Sequence, residues 1–346
     1  MTGGELILTT YSISIRGGSH DRTGLPCQDS SGDFSDDGYS LVIVSDGHGS
    51  ARHFRSNEGS RIAVEVTKDV IRACMGNGDF IPAMKDDPES TMHHLCNAVI
   101  AGWMAEVNRH IDENPRTVSE SEHIEANNLG DVDPIKWYGA TLIAGVMSDD
   151  IVFGFQIGDG DLVLIHDSDG PFKPIPEDDS CFLNRTTSIC GSDASLRFRS
   201  FATLVSGDHS SDTCVPDSED PFTFRMIPIS PEYIRGILVC TDGLTTSFNS
   251  EESFLRYCEP ACDAILTTEG RERLESNLRL RSRSNVEDDV SVSIAIRPVV
   301  DRLPEVFNSG SCKGSKSNVG RNPSNKNKRK VRKLSKNKNE RRRRRH

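Results

Sequence analysis

The chain has 346 residues, 35% of them hydrophobic, and a formal net charge of −11. This length accommodates one large catalytic domain or two small ones, and the apolar content is normal for a soluble globular protein. No segment approaches the roughly 20 continuous apolar residues of a transmembrane helix. Residues 1–10 lack the basic-then-apolar order of a signal peptide. We therefore expect a cytoplasmic protein without a transmembrane segment.

The net charge combines two regions of opposite sign. Residues 313–346 hold 16 of the 41 Lys and Arg residues and one of the 52 acidic residues, so residues 1–312 carry a net charge of −26. Because the tail has almost no apolar side chains, we expect a folded domain in 1–300 and a disordered basic tail in 301–346. Two interpretations of the tail are open. It contacts nucleic acid or another anionic surface, or it folds back on the acidic body.

The ten cysteines follow no metal-binding or disulfide pattern. There is no CxxC pair, and the closest spacing, Cys258 to Cys262, has no histidine at the intervals of a zinc site. Since nothing in the sequence indicates export, we expect free, buried thiols in a reducing compartment.

The first part of the chain is predicted to mix strands and helices. Residues 6–15 and 39–45 are expected to be strands, the second because it contains a nearly continuous apolar run. Residues 56–75 and 90–112 are expected to be helices, since their apolar side chains recur at three- and four-residue steps. The segment 113–135 is polar and acidic with little periodicity, so we expect a loop or an insertion there.

Three short apolar runs follow in close succession, at 141–147, 151–157 and 162–165. Their spacing predicts antiparallel strands joined by short turns, of which Ser148-Asp149-Asp150 is one. Residues 205–222 form a second polar insertion. The middle of the chain is therefore dominated by strands.

The last part of the chain alternates again between the two kinds of element. Residues 237–240 and 290–296 are predicted strands, and 251–278 is predicted to form one or two helices between them. Strands dominate the middle and helices come in pairs. This order indicates an α+β fold rather than a regular alternation of parallel strands and helices.

Single aspartates recur at the ends of the predicted strands. Each one alone is explained as a turn residue, because glycine after it permits positive φ and aspartate bonds its own backbone. A second interpretation is that the strand ends deliver carboxylates into one cleft. There they would bind hard divalent cations, which activate water for attack on phosphorus. The aspartates concerned are Asp46, Asp159 and Asp242 after predicted strands, Asp288 just before the last one, and Asp29 in the loop between the first two.

Six short motifs favour the second interpretation because of their order along the chain. They are Cys27-Gln28-Asp29, Asp46-Gly47-His48-Gly49, Tyr138-Gly139-Ala140-Thr141, Gly158-Asp159-Gly160, Thr241-Asp242-Gly243-Leu244 and Asp288-Asp289-Val290-Ser291. Over about residues 5–298 this series resembles the PPM/PP2C-type protein phosphatases, and Ser19-His20 makes it more similar to a bacterial branch. The resemblance implies a β-sandwich of two mainly antiparallel sheets flanked by helix pairs. It also implies a metal-dependent enzyme that hydrolyses phosphoserine and phosphothreonine in a phosphorylated protein substrate.

The resemblance further implies a set of metal ligands. In this family, two Mn²⁺ or Mg²⁺ ions are held by aspartates, one backbone carbonyl and water. Carried onto this chain, Asp46 would bridge both ions and the Gly47 carbonyl would bind one of them. Asp29, Asp242 and Asp288 would complete the two sites, and Asp159 together with Asp242 would form a weaker third site.

The resemblance implies catalytic groups as well. A hydroxide that bridges the ions would be the nucleophile, and His48 would be the general acid that protonates the leaving oxygen. Family members commonly grip the phosphate with an arginine five residues before the position of Asp29, but that position is Gly24 here. Arg22 and His20 are the candidates to replace it, because either can donate to a phosphate oxygen.

Two alternatives remain open at this point. The missing arginine is compatible with a regulatory PP2C-like domain whose catalysis is weak or altered. A two-metal nuclease with the basic tail as its nucleic-acid arm is the other alternative. It is disfavoured because the net charge of −26 in residues 1–312 would repel a polyanion.

Overall fold

The computed structural model describes residues 8–36, 38–175, 178, 186–205, 223–284 and 287–298. All of them belong to one unit, Met1–Asn308. The expected basic tail in 301–346 and nearly all of the polar insertion in 205–222 lie outside the described residues.

The strands of the described residues form two sheets. In chain order they are β1 (Thr9–Ile15), β2 (Ser30–Asp36), β3 (Tyr39–Ser45), β4 (Leu142–Ser148), β5 (Ile151–Ile157), β6 (Asp161–His166), β7 (Gly170–Phe172), β8 (Arg199–Leu204), β9 (Thr223–Met226), β10 (Ile234–Cys240) and β11 (Val290–Ile296). Sheet I has the order β1-β11-β10-β6-β7, and sheet II has the order β2-β3-β4-β5-β8-β9. Every strand pair is antiparallel except β8 with β9.

The helices cover the outer faces of the two sheets. They are α1 (Gly18–Thr23), α2 (Ser56–Met75), α3 (Phe80–Asp86), α4 (Pro88–Glu113), α5 (Val118–Ala126), α6 (Asp242–Thr245), α7 (Glu251–Ala264) and α8 (Thr268–Ser284). Helices α2 and α4 share a core with sheet II. Helices α7 and α8 share another with sheet I. The predicted α+β fold of two mainly antiparallel sheets flanked by helices is confirmed.

Continuous apolar runs form the central strands because both faces of each sheet are buried. In β3, Leu41 and Ile43 face the helices, while Val42 and Val44 face sheet I. The alternation follows from the two-residue period of a strand. Strand β10 repeats the pattern in sheet I, so side chains from both sheets interdigitate between them.

The expected pairing of the three central strands is right for one pair and wrong for the other. Strands β4 and β5 form the predicted antiparallel hairpin, with Leu142 opposite Ile157. Strand β6 does not pair with β5 but with β10 in sheet I, where Val163 lies opposite Leu238. The physical reason is that β4 and β8 already occupy both edges of β5. The chain therefore crosses from sheet II to sheet I after residue 157.

The expected loop in 113–135 contains a helix instead, α5. Thr117 and Glu120 form a capping box at its N-terminus, in which each side chain bonds the other residue's backbone N–H. Ile124 is the buried residue of this helix. A single apolar contact gives too weak a periodicity to predict a helix, and the cap and tertiary contacts supply the remaining stability.

The cysteines of the described residues agree with a further expectation. Seven cysteines in this part of the chain are free thiols. Burial raises the pKa of Cys240, Cys258 and Cys262, so these thiols stay protonated and act as packing groups. None of the described helices is long and apolar enough to cross a membrane.

Candidate active site

An open cleft of about 570 Å³ lies at one end of the sandwich, where strands of both sheets end. Asp46 follows β3, Asp159 follows β5, Asp242 follows β10 and Asp288 precedes β11. Antiparallel neighbours bring the end of one strand beside the start of the next, which is why distant segments meet here. The cleft is lined by His20, Gln28, Asp46, Gly47, His48, Gly49, Ser50, His53, Asp159, Thr186, Ser188, Asp242, Asp288 and Asp289.

Backbone hydrogen bonds fix the position of the Asp46-Gly47 turn. The Asp46 N–H donates to Thr141 Oγ1 at 2.9 Å, and the Thr141 N–H donates to the Asp46 carbonyl at 2.8 Å. The Gly47 N–H donates to the Gln28 carbonyl at 3.1 Å. The turn is thus held between the start of β4 and the segment before β2, so the backbone that carries the Asp46 side chain is fixed on both sides.

Asp29 is buried behind the cleft and is not among its lining residues. Its carboxylate Oδ2 accepts a hydrogen bond from Thr241 Oγ1 at 2.7 Å. The same Thr241 hydroxyl accepts from the Ser291 N–H at 3.0 Å. Thr241 therefore links Asp29 to the strand that carries Asp242 and to the neighbouring strand β11.

The two adjacent aspartates before β11 have different surroundings. Asp289 is buried and accepts from the Gly17 N–H and the Gln28 N–H, both at 2.6 Å, and from His20 Nδ1 at 2.9 Å. Asp288 is exposed in the cleft and accepts from the Asp289 N–H at 2.9 Å. Asp289 therefore anchors the surrounding loops, and Asp288 presents its carboxylate to the cleft.

The carboxylates of the site oppose one another's ionisation. Burial raises the pKa of Asp46, and Asp29 and Asp242 raise it further. Burial, followed by the charge of Asp159, raises the pKa of Asp242 to about 6. The pKa of Asp288 is raised mainly because the walls of the cleft displace part of the water around its carboxylate. Clustered carboxylates of this kind are stabilised in the ionised form by a cation.

The donor set fits a hard divalent cation completed by water. Among the described residues, no three His, Cys, Asp or Glu side chains lie close enough to hold a metal ion by themselves. Mg²⁺ usually keeps several waters and takes only one or two carboxylates from the protein. Asp46, Asp242 and Asp288 line one cleft together with Gly47, so their oxygens meet this requirement.

Two histidines, His48 and His53, lie side by side in the cleft, and only His48 belongs to a motif in the sequence. The ring centroids of His48 and His53 are 5.0 Å apart, with an angle of 61° between the ring planes. Burial lowers the pKa of His48 to about 4, and the neighbouring His53 contributes less. His53 lies five residues after His48 in a segment without periodicity, and no pattern in the sequence pointed to it.

The structure separates the two candidates for gripping a phosphate. His20 lies in α1 and lines the cleft. Arg22 lies in the same helix but is exposed, outside the lining residues, and its Nη2 donates to Glu287 Oε2 at 2.5 Å. Gln28, also in the lining, donates from Nε2 to Ser56 Oγ at 2.9 Å.

A family model described as protein phosphatase 2C matches residues 16–279. The chain belongs to the protein phosphatase 2C family. The predicted enzyme class, a PP2C-type protein serine/threonine phosphatase, is thereby confirmed. No curated protein sequence matches the chain.

Three solved structures of phosphatases are similar to the chain at low identity. A bacterial serine phosphatase is 13% identical, with a TM-score of 0.50 over 85% of this chain and 99% of that one. A serine/threonine phosphatase of S. agalactiae is 14% identical, with a TM-score of 0.48 over 84% and 100%. The catalytic domain of PstP in complex with two manganese ions is 15% identical, with a TM-score of 0.46 over 84% and 98%. The likeness to the first concerns the fold alone.

Proposed function

We propose that this chain hydrolyses phosphoserine and phosphothreonine in proteins with two Mn²⁺ or Mg²⁺ ions bound in the cleft. The observation that carries the proposal is the convergence of carboxylates from separate segments on one open cleft. When bound, the ions supply a water of lowered pKa and neutralise charge on the phosphate. Family membership supports the reaction class.

The placement of each group supports the ligand role that we propose for it. Asp46, on its rigid turn, is proposed to bridge the ions, with the Gly47 carbonyl beside it. Asp242 and Asp288 line the same cleft and would bind from sheet I. Asp29 lies behind them, where Thr241 holds its carboxylate, and it would bind an ion directly or through water. The more exposed Asp159 is proposed for a weaker third site.

His48 is proposed as the general acid for the leaving serine or threonine oxygen. It lines the cleft beside Asp46, within the same segment. Its lowered pKa leaves the ring neutral at pH 7 in the free protein. A phosphate dianion nearby favours the protonated form, because an opposite charge raises the pKa of an imidazole.

His20 is proposed to hold the phosphate, and its placement supports it over Arg22. Its Nδ1 is bonded to Asp289, which fixes the ring at the edge of the cleft. The usual arginine is absent for a local reason. Gly24 ends α1 with a φ of 77°, a conformation that strains any side chain.

The absence of that arginine also favours a second candidate function, a PP2C-like regulatory domain with weak or altered catalysis. Such a domain would bind a phosphothreonine peptide and hydrolyse it slowly with Mn²⁺. Binding without hydrolysis of either the peptide or a small aryl phosphate would support this alternative.

Hydrolysis of p-nitrophenyl phosphate and of a phosphothreonine peptide tests the proposal. We expect activity that requires Mn²⁺ or Mg²⁺ and falls by at least about 100-fold in Asp46→Ala and in Asp242→Asn, because charge stabilisation at the phosphate is lost. Asp169→Asn, at an exposed aspartate outside the cleft, is the matched control and should keep full activity. Activity without metal, or full rates in both cleft variants, would contradict the proposal.

A further inference from the structure

His53 shares the cleft with His48 but has no role in the proposed chemistry. It lies in the short turn between the Asp46-Gly47 segment and the start of α2. The two rings meet edge to face, with centroids 5.0 Å apart. Aromatic pairs in this arrangement have a preferred geometry, so each ring restricts the orientation of the other.

The His48 ring is held by packing alone within the described part of the chain. Its backbone N–H donates to the Gly139 carbonyl at 3.0 Å, but its imidazole makes no hydrogen bond to a described residue. Both rings lie against the bare α-carbon of Gly139. A Cβ at that position would lie 2.4 Å from His53 Nδ1 and 2.9 Å from His48 Cδ2.

The His53 ring, in contrast, is anchored. Its Nδ1 bonds the Lys136 carbonyl, and because a carbonyl only accepts, Nδ1 carries the proton. The turn around it is fixed on a second side, where His123 Nε2 donates to the Ala51 carbonyl at 2.8 Å. One imidazole of the pair is thus fixed by a hydrogen bond, and the other is held only by packing, against His53 and the Gly139 α-carbon.

We propose that His53 is a positioning residue that fixes the orientation of the His48 ring through the edge-to-face contact. The inference rests on the proposed function, in which His48 protonates the leaving oxygen. General acid catalysis depends on the acid lying within hydrogen-bond reach of that oxygen. A ring that turns freely occupies this geometry for only part of the time, and small misplacements lower rates strongly.

Two substrates separate positioning from a general structural effect. A phosphothreonine peptide has a poor leaving group that needs the acid, whereas p-nitrophenyl phosphate has a good one. We expect His53→Ala to lower kcat for the peptide about tenfold and the aryl phosphate rate less than about twofold. Combining it with His48→Ala should cost no more than His48→Ala alone, because both changes remove the same function.

Two conservative variants separate the ring from its hydrogen bond. His53→Phe keeps an aromatic ring against His48 and should retain the peptide rate within about threefold. His53→Asn keeps a donor for the Lys136 carbonyl but removes the ring, and it should behave like His53→Ala. Equal losses on both substrates in His53→Ala, additive losses in the double variant, or rescue by Asn instead of Phe would overturn the proposal.

Proton NMR of the histidine ring protons tests the contact without any activity. The His48 resonance is assigned by its loss in His48→Ala. Its chemical shift should change in His53→Ala and His53→Asn, which lack the neighbouring aromatic ring. In His53→Phe, which keeps such a ring, the resonance should retain its ring-current shift. An unmoved resonance in His53→Ala would overturn the proposal. If the wild-type protein hydrolyses neither substrate with Mn²⁺, the proposed function fails and the catalytic role of His53 with it, even where the ring contact is observed.

Discussion

At the scale of single residues, the site depends on side chains that support the carboxylates as much as on the carboxylates themselves. Thr241 is an example, since its hydroxyl donates to Asp29 and accepts from the Ser291 N–H. Asp289 is another, with three hydrogen bonds that join Gly17, Gln28 and His20. Such supporting groups fix ligand orientation and commonly tune metal affinity.

Thr241→Val removes one such support while keeping the side-chain volume. We expect Mn²⁺ affinity, measured by calorimetric titration, to fall by about tenfold, because Asp29 loses the donor that orients it. Thr241→Ser should retain the affinity. Thr67→Val is the matched control, since the buried Thr67 hydroxyl has no hydrogen-bond partner in the described part of the chain. Equal Mn²⁺ affinity in Thr241→Val and wild type would show that this hydroxyl does not support the site.

At the scale of elements, α5 packs against the segment that carries the cleft histidines. Arg55, at the start of α2, donates from Nε and Nη2 to the two Glu120 oxygens at 2.6 and 2.8 Å. The Arg55 side chain is buried, and its Nη1 also donates to the Asn114 carbonyl at 2.9 Å. The pair therefore joins α5 to the start of α2, next to the segment that carries His48 and His53, and to the end of α4.

This pair gives a prediction about stability and pH. The Arg55 guanidinium lowers the pKa of Glu120 to about 2, below its ordinary value in the unfolded chain. The pair therefore stabilises the fold above about pH 5, and its contribution is lost as the pH falls towards 2. We expect Glu120→Gln to lower the free energy of unfolding at pH 7 by about 2 kcal/mol, since Arg55 loses its charged partner.

Urea unfolding at pH 7 and pH 3 measures this difference. The difference in the free energy of unfolding between wild type and Glu120→Gln should be smaller at pH 3 than at pH 7. Glu122→Gln, at an exposed position of the same helix, should match wild type at both. A Glu120→Gln variant as stable as Glu122→Gln at pH 7, or a gap that widens in acid, would count against a stabilising role for the pair.

An element can be predicted from the sequence when its buried side chains form a recognisable apolar pattern. Helix α2 and strand β3 have the bounds expected from the sequence, because α2 has apolar side chains at helical spacing and β3 contains a nearly continuous apolar run. Strand β2 was not expected, since Ser30–Asp36 is polar and lies at a sheet edge. Helix α5 depends on a cap and an ion pair, and neither has an apolar period.

The residues of the site likewise include some that the sequence predicts and some that it does not. The Asp-Gly turns could be predicted because they follow apolar strands and match motifs of a known family. His53 could not, since its place beside His48 arises from the Gly139 contact and the Lys136 bond, which join distant segments. The sheet crossing after β5 was also outside the reach of sequence spacing, because β8 occupies the edge of β5 that β6 was expected to take.

At the scale of the whole molecule, the packing of the two sheets sets the distance between the carboxylates. Asp46 extends from sheet II, whereas Asp242 and Asp288 extend from sheet I. The core between the sheets, which includes Val44 and Val239, therefore fixes the width of the cleft. The expected roles of the basic tail stay predictions, since residues 301–346 lie outside the described part of the chain.

The central claim is that these separated carboxylates form one metal centre. Anomalous diffraction at the manganese edge, from crystals grown with Mn²⁺, tests it most directly. We expect two peaks about 3.5–4 Å apart in the cleft, with Asp46 between them and Asp242 and Asp288 as further ligands. Peaks elsewhere on the protein, or an empty cleft at saturating Mn²⁺, would contradict the claim.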